Sequence, residues 1–205
     1  MEPLDTIRST DRFFVQQRFT PLVNLYRIST VGPDGRSAGT ELVHVRQKRL
    51  KVREQIDFFA DADEKVPVLR IKAHSVFEMR GRYDVITPDG IVAGQLQKQF
   101  ARSLLRSTWT VLDGQGRDIA TAQEQSVPVA ILRRLWDFVP VVGEVPLPIP
   151  FHFDLLVGDH RIGEYRRLIG LRDRYLLDLS GDPERRLDRL VAVALTVALD
   201  ALQDR

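Results

Sequence analysis

The sequence predicts a closed antiparallel barrel of about 12 strands around a buried hydrophobic C-terminal helix, a mainly β (α+β) fold. Three observations lead to this prediction. Apolar and polar residues alternate through most of positions 10–182, short turn motifs interrupt the alternation, and one run near the C-terminus is apolar on every side. Closing the sheet removes its exposed strand edges, and a helix fills the lumen that a barrel of this size otherwise leaves open.

The C-terminal run is too short to cross a membrane and too apolar to lie on a protein surface. It extends from Leu190 to Leu199 with Thr196 as its only polar residue, and Arg189 and Asp200 close it. A transmembrane helix needs about 20 apolar residues, so we expect no transmembrane segment. Because the apolar side chains cover every direction of a helical wheel, we expect the barrel to enclose this helix.

The residues before the run predict where the helix starts. Asp182 has the side chain of an N-cap residue, Pro183 suits the first helical position, and Glu184 places a carboxylate in the first turn. Each residue type is favoured at its position by the unpaired amides and the positive end of the helix dipole. The sequence therefore predicts a helix that begins near residue 183.

Strands are predicted wherever the hydrophobic period is two. In FEMRGRYDV, the apolar side chains of Phe77, Met79, Tyr83 and Val85 alternate with charged residues. Such a strand has one buried and one wet face, which is typical of antiparallel sheets. The predicted strands lie near residues 13–19, 24–31, 40–50, 53–61, 67–75, 77–87, 91–99, 107–113, 118–125, 150–157, 161–169 and 174–180.

Turn motifs separate many of these strands. GPDGR at 32–36, PDG at 88–90, DGQGR at 113–117 and GDH at 158–160 are typical of hairpins. After the ninth predicted strand, VAILRRLWDFVP predicts a short turn of helix. The proline-rich VPLPIP that follows predicts a crossover loop.

Composition favours one cytoplasmic domain. A chain of 205 residues that is 43% hydrophobic can bury a core, and no long linker divides it, so we expect a single domain over 1–205 with its core from about residue 10. The absence of cysteine excludes disulfide scaffolds, thiolate zinc sites and cysteine nucleophiles. A net charge of +2 lacks the basic excess of a dedicated nucleic-acid binder. The N-terminal MEPLDTIRSTDRFF has no apolar signal-peptide segment.

Three longer stretches carry a family resemblance that covers most of the chain. They are FFVQQRFTPLVNLYRI, RYDVITPDGIVAGQLQKQF with STWTVLDGQGRDIATAQE, and RYLLDLSGDPERRLDRLVAVALTVALDAL. The sequence resembles the tubby C-terminal-like fold, and within it the LURP-one-related and phospholipid-scramblase-like proteins. This resemblance implies a closed barrel around a hydrophobic C-terminal helix and no established catalytic residues.

The resemblance also bears on function, although fold alone does not transfer it. Tubby proteins bind phosphoinositide headgroups through surface basic residues, and scramblase-like relatives act at membranes. This chain departs from scramblases because it lacks their proline-rich N-terminal extension and any cysteine for acylation. The departure argues against stable anchoring and lipid translocation.

Motifs for catalysis or cofactor binding are not found. The sequence has no H-E-x-x-H, no G-x-S-x-G nucleophile elbow and no G-x-x-x-x-G-K-S/T phosphate loop. We therefore expect a non-enzymatic protein without a cofactor. Structural roles are favoured over metal ligation for the four histidines, which are His44, His74, His152 and His160. A solvated turn is favoured over a calcium site for the acidic cluster of Asp57, Asp61, Asp63 and Glu64.

Basic residues are the best candidates for a binding site. They are concentrated in RQKRLKVRE and in KQFARSLLR. Arginine offers a bidentate fork and lysine a compact charge, and both suit phosphate headgroups. The alternative is that they are ordinary solvated strand faces. The candidate headgroup-binding residues are Arg46, Lys48, Arg49, Lys51, Arg53, Lys98, Arg102 and Arg106.

Two classes of function follow from these observations. In the first, the barrel docks peripherally on an anionic membrane surface through an outer basic face. In the second, it is a protein-interaction or regulatory module with no lipid ligand, and Trp136 and Phe138 near VVGEVPLPIP are apolar anchors for a protein partner. Vesicle binding separates the two classes, because only a lipid-docking protein responds to anionic lipid and to salt.

Overall fold

The computed structural model describes residues 3–19, 23–48, 55–74, 81–99, 107–125, 152–168 and 174–202. These ranges contain twelve strands and two helices. In chain order the elements are α1 (Pro3–Ser9), β1 (Arg12–Phe19), β2 (Val23–Val31), β3 (Ala38–Lys48), β4 (Gln55–Phe59), β5 (Pro67–Ala73), β6 (Arg82–Ile86), β7 (Val92–Lys98), β8 (Thr108–Asp113), β9 (Asp118–Glu124), β10 (His152–Val157), β11 (His160–Arg167), β12 (Arg174–Asp178) and α2 (Arg189–Ala201).

The strands form one closed barrel. Each strand pairs antiparallel with its neighbours in sequence, and β12 pairs with β1, where Leu176 lies opposite Phe14. Side chains along each strand alternate between the lumen and the outer face. The prediction of a closed antiparallel barrel of about 12 strands is confirmed.

The antiparallel order gives the barrel two distinct ends. All odd-numbered strands run in one direction and all even-numbered strands in the other. We call the end at which the odd-numbered strands finish the upper rim, and the opposite end the lower rim. The described hairpin turns all lie at the lower rim, at residues 32–37, 60–66, 87–91, 114–117 and 158–159. Each strand end that borders residues outside the described ranges lies at the upper rim.

Helix α2 occupies the lumen and runs from the lower rim to the upper rim. Arg189 at its start contacts Asp11, which precedes β1, and Asp200 near its end contacts Tyr26 near the beginning of β2. All side chains from 190 to 199 are at most 1% exposed. The prediction that the barrel encloses the C-terminal helix is confirmed.

The predicted start of this helix, near residue 183, is wrong. Asp188 is the N-cap, and its carboxylate accepts hydrogen bonds of 2.7 and 3.2 Å from the first amides of α2. Asp182 instead caps a preceding turn, accepting bonds of 3.0 Å from the amides four and five residues later. Within that turn Arg185 has a φ of 53°, which a right-handed helix cannot include. The chain therefore turns at the lower rim before it enters the lumen.

Helix α1, which the sequence analysis did not predict, lies at the lower rim. Its Ile7 is fully buried and belongs to the same core as the barrel and α2. The chain that follows α1 is joined to α2 by Arg189, which is 2% exposed. One guanidinium nitrogen of Arg189 donates to Asp182 at 2.7 Å and another donates to Asp11 at 2.8 Å. This buried ion pair fixes the start of α2 to both neighbouring segments.

Some predicted boundaries differ from the structure or lie outside its described residues. Alternation predicted a strand from residue 77, whereas β6 begins at Arg82 and residues 75–80 are outside the described ranges. The helical turn and crossover loop predicted after the ninth strand fall within 126–151, which are also outside them. The other predicted strands correspond in order to observed strands.

The packing of α2 against the barrel wall predicts that the native protein does not take up fatty acids. At Gly94 of β7, an added Cβ would lie 2.9 Å from Val191 Cγ2, so strand and helix are in close contact there. A lumen filled by a helix leaves no room for the ligand that an open barrel of this kind would hold. Titration with a fluorescent fatty acid should show no saturable binding. Stoichiometric, displaceable uptake by the folded protein would contradict this expectation.

Candidate functional site

The topology brings the ends of the strands that border both predicted basic segments to one rim. Strand β3 ends at Lys48 and β7 ends at Lys98, while β4 begins at Gln55 and β8 begins at Thr108. All four ends lie at the upper rim, and β5 and β6 separate the two pairs. For Lys48 the structure describes the backbone alone. The candidates outside the described ranges are Arg49, Lys51, Arg53, Arg102 and Arg106.

Arg46 lies on the outer face of β3 but already has a strong ion-pair partner. Its Nη1 donates to both carboxylate oxygens of Glu64, at 2.8 and 2.9 Å. Its side chain is 40% exposed. The Glu64 carboxylate already neutralises this guanidinium, so the pair attracts a phosphate less than a free arginine does. Arg46 is therefore less available for a headgroup than its sequence position indicated.

Lys98 faces the lumen, not the outer surface. It lies opposite Trp109 on β8, whose side chain is fully buried in the core. The Lys98 ammonium donates to the carbonyl oxygen of Leu202 at 3.4 Å, at the C-terminal end of α2. A cation stabilises the negative end of a helix dipole. The sequence expectation of an outer-face position for Lys98 is thus corrected by the register, and a role for it in headgroup binding stays a prediction.

A polar cluster holds the end of α2 at the upper rim. Asp200 accepts hydrogen bonds from the hydroxyls of Tyr26, at 2.7 Å, and Tyr175, at 2.9 Å. Burial, together with the Asp200 carboxylate, raises the pKa of the Tyr26 hydroxyl well above its ordinary value. The pKa of Tyr165, which stacks on Tyr175, is also raised, mainly by burial. The Tyr26 hydroxyl therefore stays protonated and donates to Asp200, and this hydrogen bond offsets the cost of an acid placed at the negative end of a helix.

The acidic cluster of the sequence analysis is divided among separate structural contacts. Asp61 accepts hydrogen bonds from the amides of Lys65 and Val66, and these bonds, led by the one from Val66, lower its pKa. Asp57 pairs with Arg70 at 2.6 Å. Glu64 pairs with Arg46, as described above, and Asp63 pairs with the exposed ammonium of Lys65. In the part of the chain that the structure describes, no three His, Asp or Glu side chains are placed to hold a metal ion.

Three of the histidines lie beside a carboxylate. His44 is 3.4 Å from Glu41, His74 is 2.9 Å from Asp84, and His152 is 3.1 Å from Glu164. His160 begins β11 and is exposed. These contacts are typical of polar side-chain pairs on the outer face of a barrel.

Two cations near the upper rim are not among the residues predicted from the sequence. Arg18 of β1 and Arg174 of β12 lie on the outer face of adjacent strands. They are far apart in sequence, and Arg18 stands apart from any dense basic run, whereas Arg174 ends a stretch with four arginines in nine residues, 166–174. That the two arginines are neighbours follows only from the register of β1 with β12, which closes the barrel.

The sequence model of the LURP-one-related family matches residues 41–200. The chain belongs to the LURP-one-related family. The match extends from β3 to the end of the lumenal helix, and the closed barrel is consistent with the tubby-like fold. No curated protein matches this LURP-one-related chain significantly. None of the described helices is long and apolar enough to cross a bilayer.

Proposed function

We propose that this LURP-one-related barrel is a non-enzymatic, peripheral membrane protein that binds anionic phospholipid headgroups from the cytoplasmic side through basic residues at its upper rim. One observation carries the proposal. The ends of β3, β4, β7 and β8, which border the two basic segments, lie at the same end of the barrel. Basic residues at one end can meet a flat anionic surface together, whereas residues at opposite ends cannot.

The filled lumen supports binding on the outside of the molecule. Helix α2 is fixed at the lower rim by Arg189 and at the upper rim by Asp200, and its core residues are buried. Releasing it into a bilayer would expose the apolar inner face of the barrel. Electrostatic docking requires no such rearrangement, and each Lys or Arg near an anionic surface contributes about 1 kcal/mol.

The contacts of Arg46 and Lys98 make these two residues less available for headgroup binding than the remaining candidates. Arg46 is paired with Glu64, and Lys98 contacts the end of α2. We therefore assign the main electrostatic contribution to the six other candidates. These are Lys48, Arg49, Lys51, Arg53, Arg102 and Arg106.

Cosedimentation with vesicles of graded anionic lipid content tests this proposal at low and at physiological salt. We expect the parent to bind in proportion to anionic lipid and to dissociate as salt shortens the Debye length below about 10 Å. Changing Lys48, Arg49 and Lys51 to Glu should weaken binding by at least about a hundredfold, since three attractive charges become repulsive. The matched control changes Arg8, Arg36 and Lys65 to Glu, which alters net charge equally at the lower rim.

The outcomes separate the two classes of function. If the parent ignores anionic vesicles even at low salt, the lipid proposal is wrong and a protein-interaction role becomes the better explanation. If the upper-rim and lower-rim variants lose binding equally, attraction depends on net charge and the assigned rim is wrong.

A further inference from the structure

The outer face of β12 and β1 carries two arginines near the upper rim that have no carboxylate partner among the described residues. Arg18 is exposed and Arg174 is half-buried. Charges nearer the lower rim on the same strands are paired, as in the 3.0 Å contact between Arg12 and Asp178. Among the described residues, positive charge on this face is therefore neutralised toward the lower rim and unbalanced toward the upper rim.

The register places these arginines close to each other. Arg174 lies opposite Gln16 across the β12–β1 pair, and Arg18 is two residues further toward the upper rim. Diagonal neighbours of this kind have Cα atoms about 7–8 Å apart, within reach of long side chains. Both guanidinium groups can thus approach one tetrahedral anion, which is the geometry that arginine pairs use for phosphate.

Arg174 also has a donor that the described part of the chain does not satisfy. Its Nε is buried and has no hydrogen-bond partner among the described residues. A buried donor without an acceptor costs about 1–3 kcal/mol, and more when the group is charged. An anion bound beside Arg174 would supply an acceptor, as well as the missing countercharge.

Aliphatic side chains flank the pair. Leu25 lies opposite Arg18 across the β1–β2 pair, and the amide of Leu168 donates to the carbonyl of Arg174. Both leucines are half-buried. Cations next to aliphatic groups favour binding to the interface of a bilayer, where the cations contact phosphates and the aliphatic groups contact lipid. A freely soluble anion would contact the cations alone.

We propose that Arg18 and Arg174 bind a phospholipid phosphate and form a third contact of the upper rim with the membrane. The inference rests on the proposed function and deepens it. The other two contacts lie at the β3–β4 and β7–β8 ends, so the three are distributed around the closed barrel. A barrel held at three points of one rim stands with its axis close to the membrane normal.

The test compares full-length variants on phosphatidylcholine vesicles that contain graded phosphatidylserine. Changing Arg18 and Arg174 to Gln should weaken binding about thirtyfold, and changing them to Glu should give a larger loss in the same direction. The matched control changes Arg8 and Arg36, two exposed arginines at the lower rim, to Glu and should bind within about threefold of the parent. Thermal melts identify any variant that fails to fold, in which case the Gln pair provides the comparison.

Two results would overturn the inference and each is distinguishable from failure of the proposed function. If the Arg18 and Arg174 variants bind like the lower-rim control while the Lys48, Arg49 and Lys51 variant loses binding, the membrane proposal stands and the third contact does not. If millimolar inorganic phosphate displaces the parent from vesicles at constant ionic strength and the arginine variants are insensitive to it, the pair binds a soluble anion. If the arginine variants lose vesicle binding and inorganic phosphate does not displace the parent, the ligand of the pair is a phospholipid phosphate.

Discussion

Changing Leu195 to Asp is expected to abolish folding. Leu195 lies in the middle of α2, is 1% exposed, and belongs to the core shared by the helix and the strands. A carboxylate at this position has no partner and no water. An unpaired buried charge costs several kcal/mol, which approaches the whole stability of a domain, about 5–15 kcal/mol. Soluble expression, near-ultraviolet circular dichroism and a thermal melt measure the result.

An isosteric control separates charge from packing at the same position. Leu195→Met keeps volume and polarity similar and should cost less than about 1.5 kcal/mol. The enclosed-helix account fails if Leu195→Asp remains soluble and melts cooperatively near the temperature of the parent.

The second large effect is expected from Asp182→Ala at the lower rim. Asp182 is fully buried, receives a 2.7 Å hydrogen bond from Arg189, and caps the turn before α2. Removing one member of a buried ion pair leaves the other charge uncompensated and costs about 3–5 kcal/mol. Arg189 would keep Asp11 as its partner, a carboxylate that is 42% exposed. Chemical denaturation at neutral pH measures the change in the free energy of unfolding.

The ionisation of Asp182 determines the direction in which the stability of the protein changes with pH. Burial raises the pKa of Asp182, but hydrogen bonds from the Arg189 side chain and from the Leu187 and Arg186 amides outweigh it, and the pKa is lowered overall. A lowered pKa in the folded state stabilises the protein above the ordinary carboxyl pKa, and the stabilisation disappears as pH falls through the folded value. Asp182→Ala should therefore flatten this acid dependence.

A surface ion pair provides the control for Asp182. Asp63 pairs with Lys65, and their side chains are 74% and 76% exposed, so Asp63→Ala should cost less than about 1 kcal/mol. Equal destabilisation by Asp182→Ala and Asp63→Ala would contradict the role given to the lower-rim ion pair.

The features that the sequence predicted well are those that repeat along the chain. A period of two reports a strand with one buried face, and a run without a polar face reports an enclosed helix, so both can be inferred without knowing their neighbours. The start of α2 could not be inferred in this way. Asp182 followed by Pro183 suits a capped turn as well as a helix, and the positive φ of Arg185 has no sequence signal.

Two features of the candidate site were not predicted. The inward position of Lys98 could have been inferred from the sequence, whereas the proximity of Arg18 to Arg174 could not. Leu96 faces the core, so the same period of two places Lys98 inward, and QLQK carried that information. Arg18 and Arg174 become neighbours only because β12 pairs with β1. Long-range closure of this kind is a tertiary property, and the charge density of a local segment does not report it.

The most direct measurement of the membrane-facing rim uses single-cysteine labels, for which the chain is suited because it has no native cysteine. An environment-sensitive fluorophore is placed at Leu25→Cys and Gln55→Cys near the upper rim, and at Arg36→Cys in a turn of the lower rim. On addition of phosphatidylserine vesicles, we predict a blue shift for both upper-rim labels and no shift for the lower-rim label. A blue shift at Arg36→Cys alone, or unchanged spectra at all three positions while the protein cosediments with the vesicles, would contradict the account.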